Sequence, residues 1–175
     1  MGSENINLSD YIRDIPDFPK EGILFRDITP LLAHKEALVA AIEALAAPFK
    51  DTHVDYVAAI EARGFIFGSA VARALGAGFI PIRKPGKLPY AIESVTYDLE
   101  YGTDTVEIHK DAIEPGSKVV IVDDLLATGG TMAAAVQLVE MLKADIIGMT
   151  FLIELKDLGG HEKLGKYPLH TVLTY

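Results

Sequence analysis

The residues best suited to chemistry fall together in one stretch. Asp123 and Asp124 stand side by side after the apolar run Val119-Val120-Ile121-Val122, and after Leu125-Leu126 come Ala127-Thr128-Gly129-Gly130-Thr131. Glycines and small residues let backbone N–H groups approach an anion closely. Thr128 and Thr131 add hydroxyl donors, and a helix opening at Gly130 would present partial positive charge at its amino end. Such a loop fits one phosphate. No lysine follows the glycines, so the loop lacks the group with which a Walker loop reaches a triphosphate. The two carboxylates precede the loop, where they would accept hydrogen bonds from vicinal hydroxyls of a sugar. Phosphate on Ala127 to Thr131 and sugar on Asp123-Asp124 together describe a ribose 5-phosphate. The plainer alternative is an ordinary strand-to-helix turn with capping aspartates, which gives fewer of these positions a role.

A second concentration of chemistry is cationic. Between Ala62 and Ile92 no acidic residue occurs, yet the stretch holds Arg63, Arg73, Arg83, Lys84 and Lys87, in a chain of 16 Lys+Arg, 25 Asp+Glu and net charge −9. A net-negative surface repels a polyanion such as DNA at long range, so the district is expected to serve a small, highly charged anion, and nucleic acid is not expected as a partner. Arg73 reads as part of a solvated helix face. Arg83, Lys84 and Lys87 crowd Pro85-Gly86 with no carboxylate close in sequence, which a solvated face explains less well.

Composition bounds the rest. The chain has 175 residues, 50% of them hydrophobic, enough for a sizeable core and for strands buried on both faces, with apolar surface left for a subunit contact. One domain over residues 1–175 is expected, since no repeat, low-complexity tract or linker interrupts it. The longest apolar stretches, such as Ile146 to Ile153, fall far short of the ~20 residues of a spanning helix. Met1 to Asp10 lacks the succession of a signal peptide, so neither membrane nor export is expected and the cytoplasm is the default location. Cysteine is absent, which excludes disulfides, thiolate metal sites and a cysteine nucleophile. The five histidines are too scattered to suggest a metal cluster.

Strands and helices must position these groups. Ser9 is placed to cap a short helix from Asp10, and residues 15 to 30 read as a proline-punctuated loop. Leu38, Ile42, Leu45 and Phe49 fall at steps of one helical face, stopping near Pro48. Val54 to Ile60 reads as a strand, Gly64 to Leu75 as a helix and Phe79 to Ile82 as a strand. Val119 to Val122 suits the middle of a parallel sheet, Gly130 to Lys143 a helix and Ile146 to Glu154 an extended segment. The alternation predicts a parallel α/β sheet flanked by helices, with right-handed crossovers. Val95, Tyr97 and Leu99, then Val106 and Ile108, alternate around Tyr101-Gly102-Thr103-Asp104, which predicts an inserted β-hairpin that could carry Glu100 and Tyr101 on a mobile flap. Leu169 to Tyr175 reads as a last strand or a subunit arm, uninformative about chemistry.

Residues 119–131 resemble the phosphoribosyl pyrophosphate (PRPP) motif of the type I phosphoribosyltransferases. From about Leu8 to Leu164 the chain is similar to the adenine-specific branch of that family. The shared segments are Phe18-Pro19 with Gly22 to Pro30, Glu61 to Phe65, Ile82 to Pro89, and Leu99 to Gly102. The resemblance implies an N-terminal hood over residues 1–34 and a clamp loop and hairpin flap over 84–110. It also implies transfer of phosphoribose from PRPP to adenine with Mg²⁺, and a homodimer. By the same resemblance, Ala127, Thr128, Gly129, Gly130 and Thr131 hold the 5-phosphate, while Asp123 and Asp124 hold the ribose and, directly or through water, the metal. Ala62 and Arg63 lie in a pyrophosphate loop of unusual peptide conformation, completed by Arg83, Lys84 and Lys87. Adenine stacks near Phe25, bonded by backbone groups around Leu24 and Arg26, with Leu125 packing from the phosphate loop's side. Glu100 exchanges a proton with the base and Tyr101 closes over it. Phosphoribosyltransferases for other bases, and a PRPP-sensing regulator, share the PRPP motif. The regulator would need a nucleic-acid surface that an acidic chain with one small basic district lacks.

Overall fold

The computed structural model describes residues 6–99 and 102–175. The chain begins with a 3-10 turn at Leu8–Tyr11 that has no side-chain cap, where the sequence predicted a Ser9-capped helix. Residues 15 to 30, predicted as loop, contain more structure than their prolines indicate. Two short strands, β1 (Arg13–Ile15) and β2 (Phe25–Asp27), pair antiparallel, and α1 (Thr29–Ala33) follows at once. Strands this short make few ladder bonds, so long-range partners outweigh the local pattern. Next comes α2 (Lys35–Ala46), ending in a 3-10 turn at Ala47–Phe49. Its most buried face is Ala37, Ala41 and Leu45, with Leu38 and Ile42 only partly covered. The stripe is therefore rotated from the predicted one, because alanines let the helix lie closer to its neighbours.

The remaining elements alternate as predicted, with the short helix α5 added to the expected set: β3 (Tyr56–Ile60), α3 (Arg63–Leu75), β4 (Gly78–Ile82), the hairpin β5 (Ile92–Asp98) and β6 (Thr103–His109), β7 (Lys118–Leu126), α4 (Gly130–Met141), β8 (Asp145–Glu154), α5 (Gly160–Leu164) and β9 (Leu169–Thr174). Five strands form one parallel sheet in the order β4-β3-β7-β8-β9. β7 lies at the centre, as its β-branched run requires. Its side chains alternate between two apolar layers. Val119 and Ile121 pack with Leu138 and Val139 of α4 and with Val106 and Ile108 of the hairpin. Val120 and Val122 pack on the other side with Leu45 of α2 and Phe67 of α3. The hairpin register pairs Asp98 with Thr103, and the Leu99 N–H donates to the Gly102 carbonyl at 2.9 Å. Thr103 and Asp104 thus belong to the strand, not to the predicted turn, and Glu100 and Tyr101 lie outside the described residues.

Candidate active site

β7 runs past its neighbour. β3 pairs with it only as far as Ala59 opposite Val122, whereas β8 follows it to Leu126 opposite Glu154. Asp123 and Asp124 are therefore inside a strand that is supported on one side and open on the other, where the chain turns from β3 into α3. A polar cavity of about 480 Å³ occupies that opening, lined by Ala62, Arg63, Lys84, both aspartates, Leu125 and the Ala127 to Thr131 loop. Gly129 takes φ +80° and precedes α4 without any side-chain cap, so the first N–H groups of the helix are left to an incoming acceptor. α5 braces this loop from behind. A Cβ on Gly160 would come within 2.3 Å of the Ala127 carbonyl oxygen, and one on Gly129 within 3.1 Å of Gly160. Only two facing glycines permit this approach, so Gly160 belongs to the loop's architecture although no motif in the sequence marks it.

The carboxylate pair is electrostatically unfinished. Desolvation, and then the charge of Asp124 beside it, push the Asp123 carboxyl well above its usual 3.8. Burial also pushes Asp124 up, against the pull of the Arg63 guanidinium, whose Nε lies 2.9 Å from Oδ2. Two carboxylates with one cation favour further hydroxyl donors or a second cation. Arg63 opens α3 directly after a cis Glu61–Ala62 peptide. A Cβ on Gly64 would approach Asp123 Oδ1 to 2.8 Å, so this glycine lets α3 start against the aspartates.

The cationic district is not acid-free in space. Glu61 accepts the Lys84 backbone N–H and the Lys87 ammonium, each at 2.6 Å, and lies 3.4 Å from Arg83 Nε. Burial opposes ionisation of Glu61, but Lys87 and the Lys84 N–H outweigh it and hold the carboxyl below its usual range. Lys84 is ion-paired with Asp104 on β6. Burial would lower the Lys84 pKa, yet its hydrogen bonds to Asp104 and Tyr97 raise it. Of the three expected clamp cations, Lys84 lines the polar cavity, while Arg83 and Lys87 are gathered around Glu61.

Tyr97 joins the two anion districts. Thr131 Oγ1 donates to its hydroxyl at 3.0 Å, the hydroxyl donates to Asp104 Oδ2 at 3.2 Å, and Lys84 Nζ lies 3.4 Å away. In the sequence Tyr97 marks only the alternation of the hairpin. A signal was available in its alternation with Val95, since both pack against the α4 layer.

On the far side of Arg63, the Phe25 ring lies 5.6 Å from its guanidinium carbon. Phe25, Arg63 and Ile66 help line a second, mostly apolar cleft of about 470 Å³, so Arg63 is a wall common to both spaces. The other expected base contacts are less closely grouped. Leu24 is 45% exposed, Leu125 faces the polar cavity, and the Arg26 side chain is turned to Asp14 and Tyr175.

A parallel sheet with a glycine-rich turn after its central strand, a carboxylate pair ahead of that turn and an inserted hairpin is the type I phosphoribosyltransferase fold. A family model for a phosphoribosyl transferase domain matches residues 28–168. The adenine phosphoribosyltransferase of Rhodopirellula baltica is 58% identical over 172 residues, 98% of this chain and 84% of its own length. That of Halothermothrix orenii is 58% identical over 168 residues, 96% of this chain and 99% of its own. Among solved structures, adenine phosphoribosyltransferase from Thermoanaerobacter pseudethanolicus superposes with TM-score 0.93 at 51% identity, covering 96% of this chain and 98% of that one. The Saccharomyces cerevisiae enzyme, complexed with an imino-altritol bisphosphate and adenine, gives TM-score 0.88 at 44% identity, over 94% and 96%. The chain belongs to the adenine phosphoribosyltransferase family.

Proposed function

We propose that the chain transfers the 5-phosphoribosyl group of PRPP to N9 of adenine, forming AMP and releasing pyrophosphate, a purine-salvage reaction. The observation that carries this reading is the single polar cavity in which the phosphate loop, the carboxylate pair and Lys84 meet, with Phe25 just across Arg63. The backbone N–H groups of Ala127 to Thr131 take the 5-phosphate, and Asp123 and Asp124 take the ribose hydroxyls. Ala62, Arg63, Arg83, Lys84 and Lys87 receive pyrophosphate, which must draw Lys84 from Asp104 and Arg83 and Lys87 from Glu61. Cations aimed at the leaving oxygens stabilise charge that grows as the C1′–O bond breaks, so they act on the transition state more than on bound substrate. Phe25, backbone groups of Leu24 and Arg26, and Leu125 hold adenine so that its N9 reaches C1′. Glu100 exchanges the N7 proton and Tyr101 covers the site.

A divalent cation fits these residues. Among the described residues no cluster of three or more His, Cys, Asp or Glu forms a metal cage. The desolvated Asp123-Asp124 pair offers hard oxygen donors of the number Mg²⁺ takes when substrate oxygens and water complete its shell. Bound there, Mg²⁺ would neutralise part of the pyrophosphate charge. The chain is further proposed to act in the cytoplasm as one domain over residues 1–175, and as a homodimer, for which exposed apolar side chains such as Ile66 supply surface. No helix among the described residues is long and apolar enough to cross a membrane.

The test is pyrophosphate release from PRPP and Mg²⁺ with adenine, hypoxanthine, guanine, xanthine and uracil supplied singly, products identified by mass. Turnover with adenine alone, yielding AMP, supports the reading. Turnover with another base corrects the specificity, and PRPP binding without any turnover overturns the enzyme. With Glu100→Gln, kcat should fall by about 10² or more, whereas a loss below about threefold removes Glu100 from the mechanism.

A further inference from the structure

Leu169 to Tyr175 carries no sequence signal for chemistry, yet Tyr175, just after β9, lies against the proposed base segment. The Arg26 guanidinium lies over the Tyr175 ring, 4.0 Å from its centroid, and is ion-paired with Asp14 across the β1–β2 ladder. Held between a carboxylate and an aromatic face, the Arg26 side chain is only 17% exposed. Tyr175 is fixed in turn by its backbone: its N–H donates to the Glu154 carbonyl at 2.9 Å, and its carbonyl accepts the Lys156 N–H at 3.0 Å. Glu154 is the last residue of β8, and the preceding Ile153 is paired in register with Leu125. Tyr175 and Leu125 thus take their places from consecutive residues of one strand, and both pack into the same apolar layer.

We propose that Tyr175 is a positioning residue for the base. By holding Arg26, it sets the spacing between the β2 wall, with Phe25 and the backbone of Leu24 and Arg26, and the β7 wall, with Leu125. It touches no reacting atom. The inference rests on the reading of Leu24 to Arg26 as the adenine segment. Without the ring, β2 keeps its short ladder to β1, the buried Ile28 that follows it and the Phe25–Arg63 contact, but loses the tie that holds Arg26 to the end of β9, and adenine must order that part of the wall on binding. The PRPP contacts lie on the β7 loop and the clamp, so they are left in place.

The experiment is initial-rate kinetics of the full chain carrying Tyr175→Leu or Tyr175→Phe, each substrate varied in turn. Leucine keeps apolar bulk without a π face, and phenylalanine keeps the face without the hydroxyl. Tyr175→Leu is expected to raise KM for adenine about fivefold, with kcat and KM for PRPP changed by less than about twofold, and Tyr175→Phe to restore the wild-type value. An adenine KM unmoved by Tyr175→Leu overturns the inference. So does a parallel rise in both KM values, which marks general loosening, and so does a Tyr175→Phe variant as impaired as Tyr175→Leu. Phe25→Ala serves as the control for the underlying reading. If it leaves the adenine KM unchanged, the base segment has been misplaced; if it raises that KM while Tyr175→Leu does not, only the positioning role fails.

Discussion

On the proposed phosphate side, the groups come from neighbouring residues: Asp123 to Leu126 end β7, and Ala127 to Thr131 lead directly into α4. On the proposed base side, Phe25 and Arg26 sit on a strand of three residues paired with β1, and the Arg26 side chain is held by Asp14 and by Tyr175 beyond β9. The first region is a rigid strand-to-helix turn in the middle of a five-stranded sheet, while the second is a two-stranded ribbon tied down at its rim. A charged ligand gains most from preorganised donors that need not move. A flat, weakly polar base needs two walls at the right spacing, and these can come from far apart in sequence.

The contrast is broken most sharply by a change that loosens the phosphate side alone. Gly160→Ala places a methyl within 2.3 Å of the Ala127 carbonyl, so the loop or α5 must shift. Since a displacement of about 1 Å costs on the order of 10²-fold, kcat/KM for PRPP should fall by roughly that factor while KM for adenine stays within about twofold. Steady-state kinetics with each substrate varied will check it. An equal loss toward both substrates would mean that the two sides are not separately supported.

A smaller effect is expected at the joint between the loop and the clamp. Tyr97→Phe removes the hydroxyl that accepts from Thr131 and donates to Asp104. Losing about 1 kcal/mol of net hydrogen bonding corresponds to a rise of about fivefold in KM for PRPP, again without a change for adenine. If KM for PRPP is unmoved, the loop and clamp are positioned independently, and Tyr97 only completes the packing of the hairpin on α4.

The same contrast explains what could be read from the sequence. The β7 run, the carboxylates and the glycine loop were legible because their order along the chain is their order in the site. The basic district was legible as a run of cations, but its counter-charges were not: Glu61 and Asp104 reach it only through the β3-to-α3 turn and the hairpin register. Residues 15 to 30 show only a loop's punctuation in the sequence, since three-residue strands leave no periodicity to detect. Tyr175 carried no signal at all, because its partner Arg26 lies at the other end of the chain and the contact depends on where β9 ends.

Asp27 offers the mildest test, at the point where the base-side ribbon joins α1. Its Oδ1 accepts the Thr29 N–H at 2.9 Å, its Oδ2 accepts the Thr29 hydroxyl at 2.8 Å, and the residue is 8% exposed. The backbone bond first, and then the hydroxyl bond, hold the carboxyl below its usual 3.8 against the opposing effect of burial. A depressed folded-state pKa means that the unfolded chain binds the proton more readily. The contribution of Asp27 is therefore complete above pH 3.8 and is lost as pH falls below that toward the folded-state value. Asp27→Asn keeps one acceptor and loses the charge, so at pH 7 it should lower Tm by about 2–4 °C, as for about 1 kcal/mol in a chain of this size. The gap between wild type and variant should narrow as thermal melts are taken from pH 5 to pH 3. A gap that stays constant over that range would show that the hydrogen bonds to Thr29 hold through shape and not through charge.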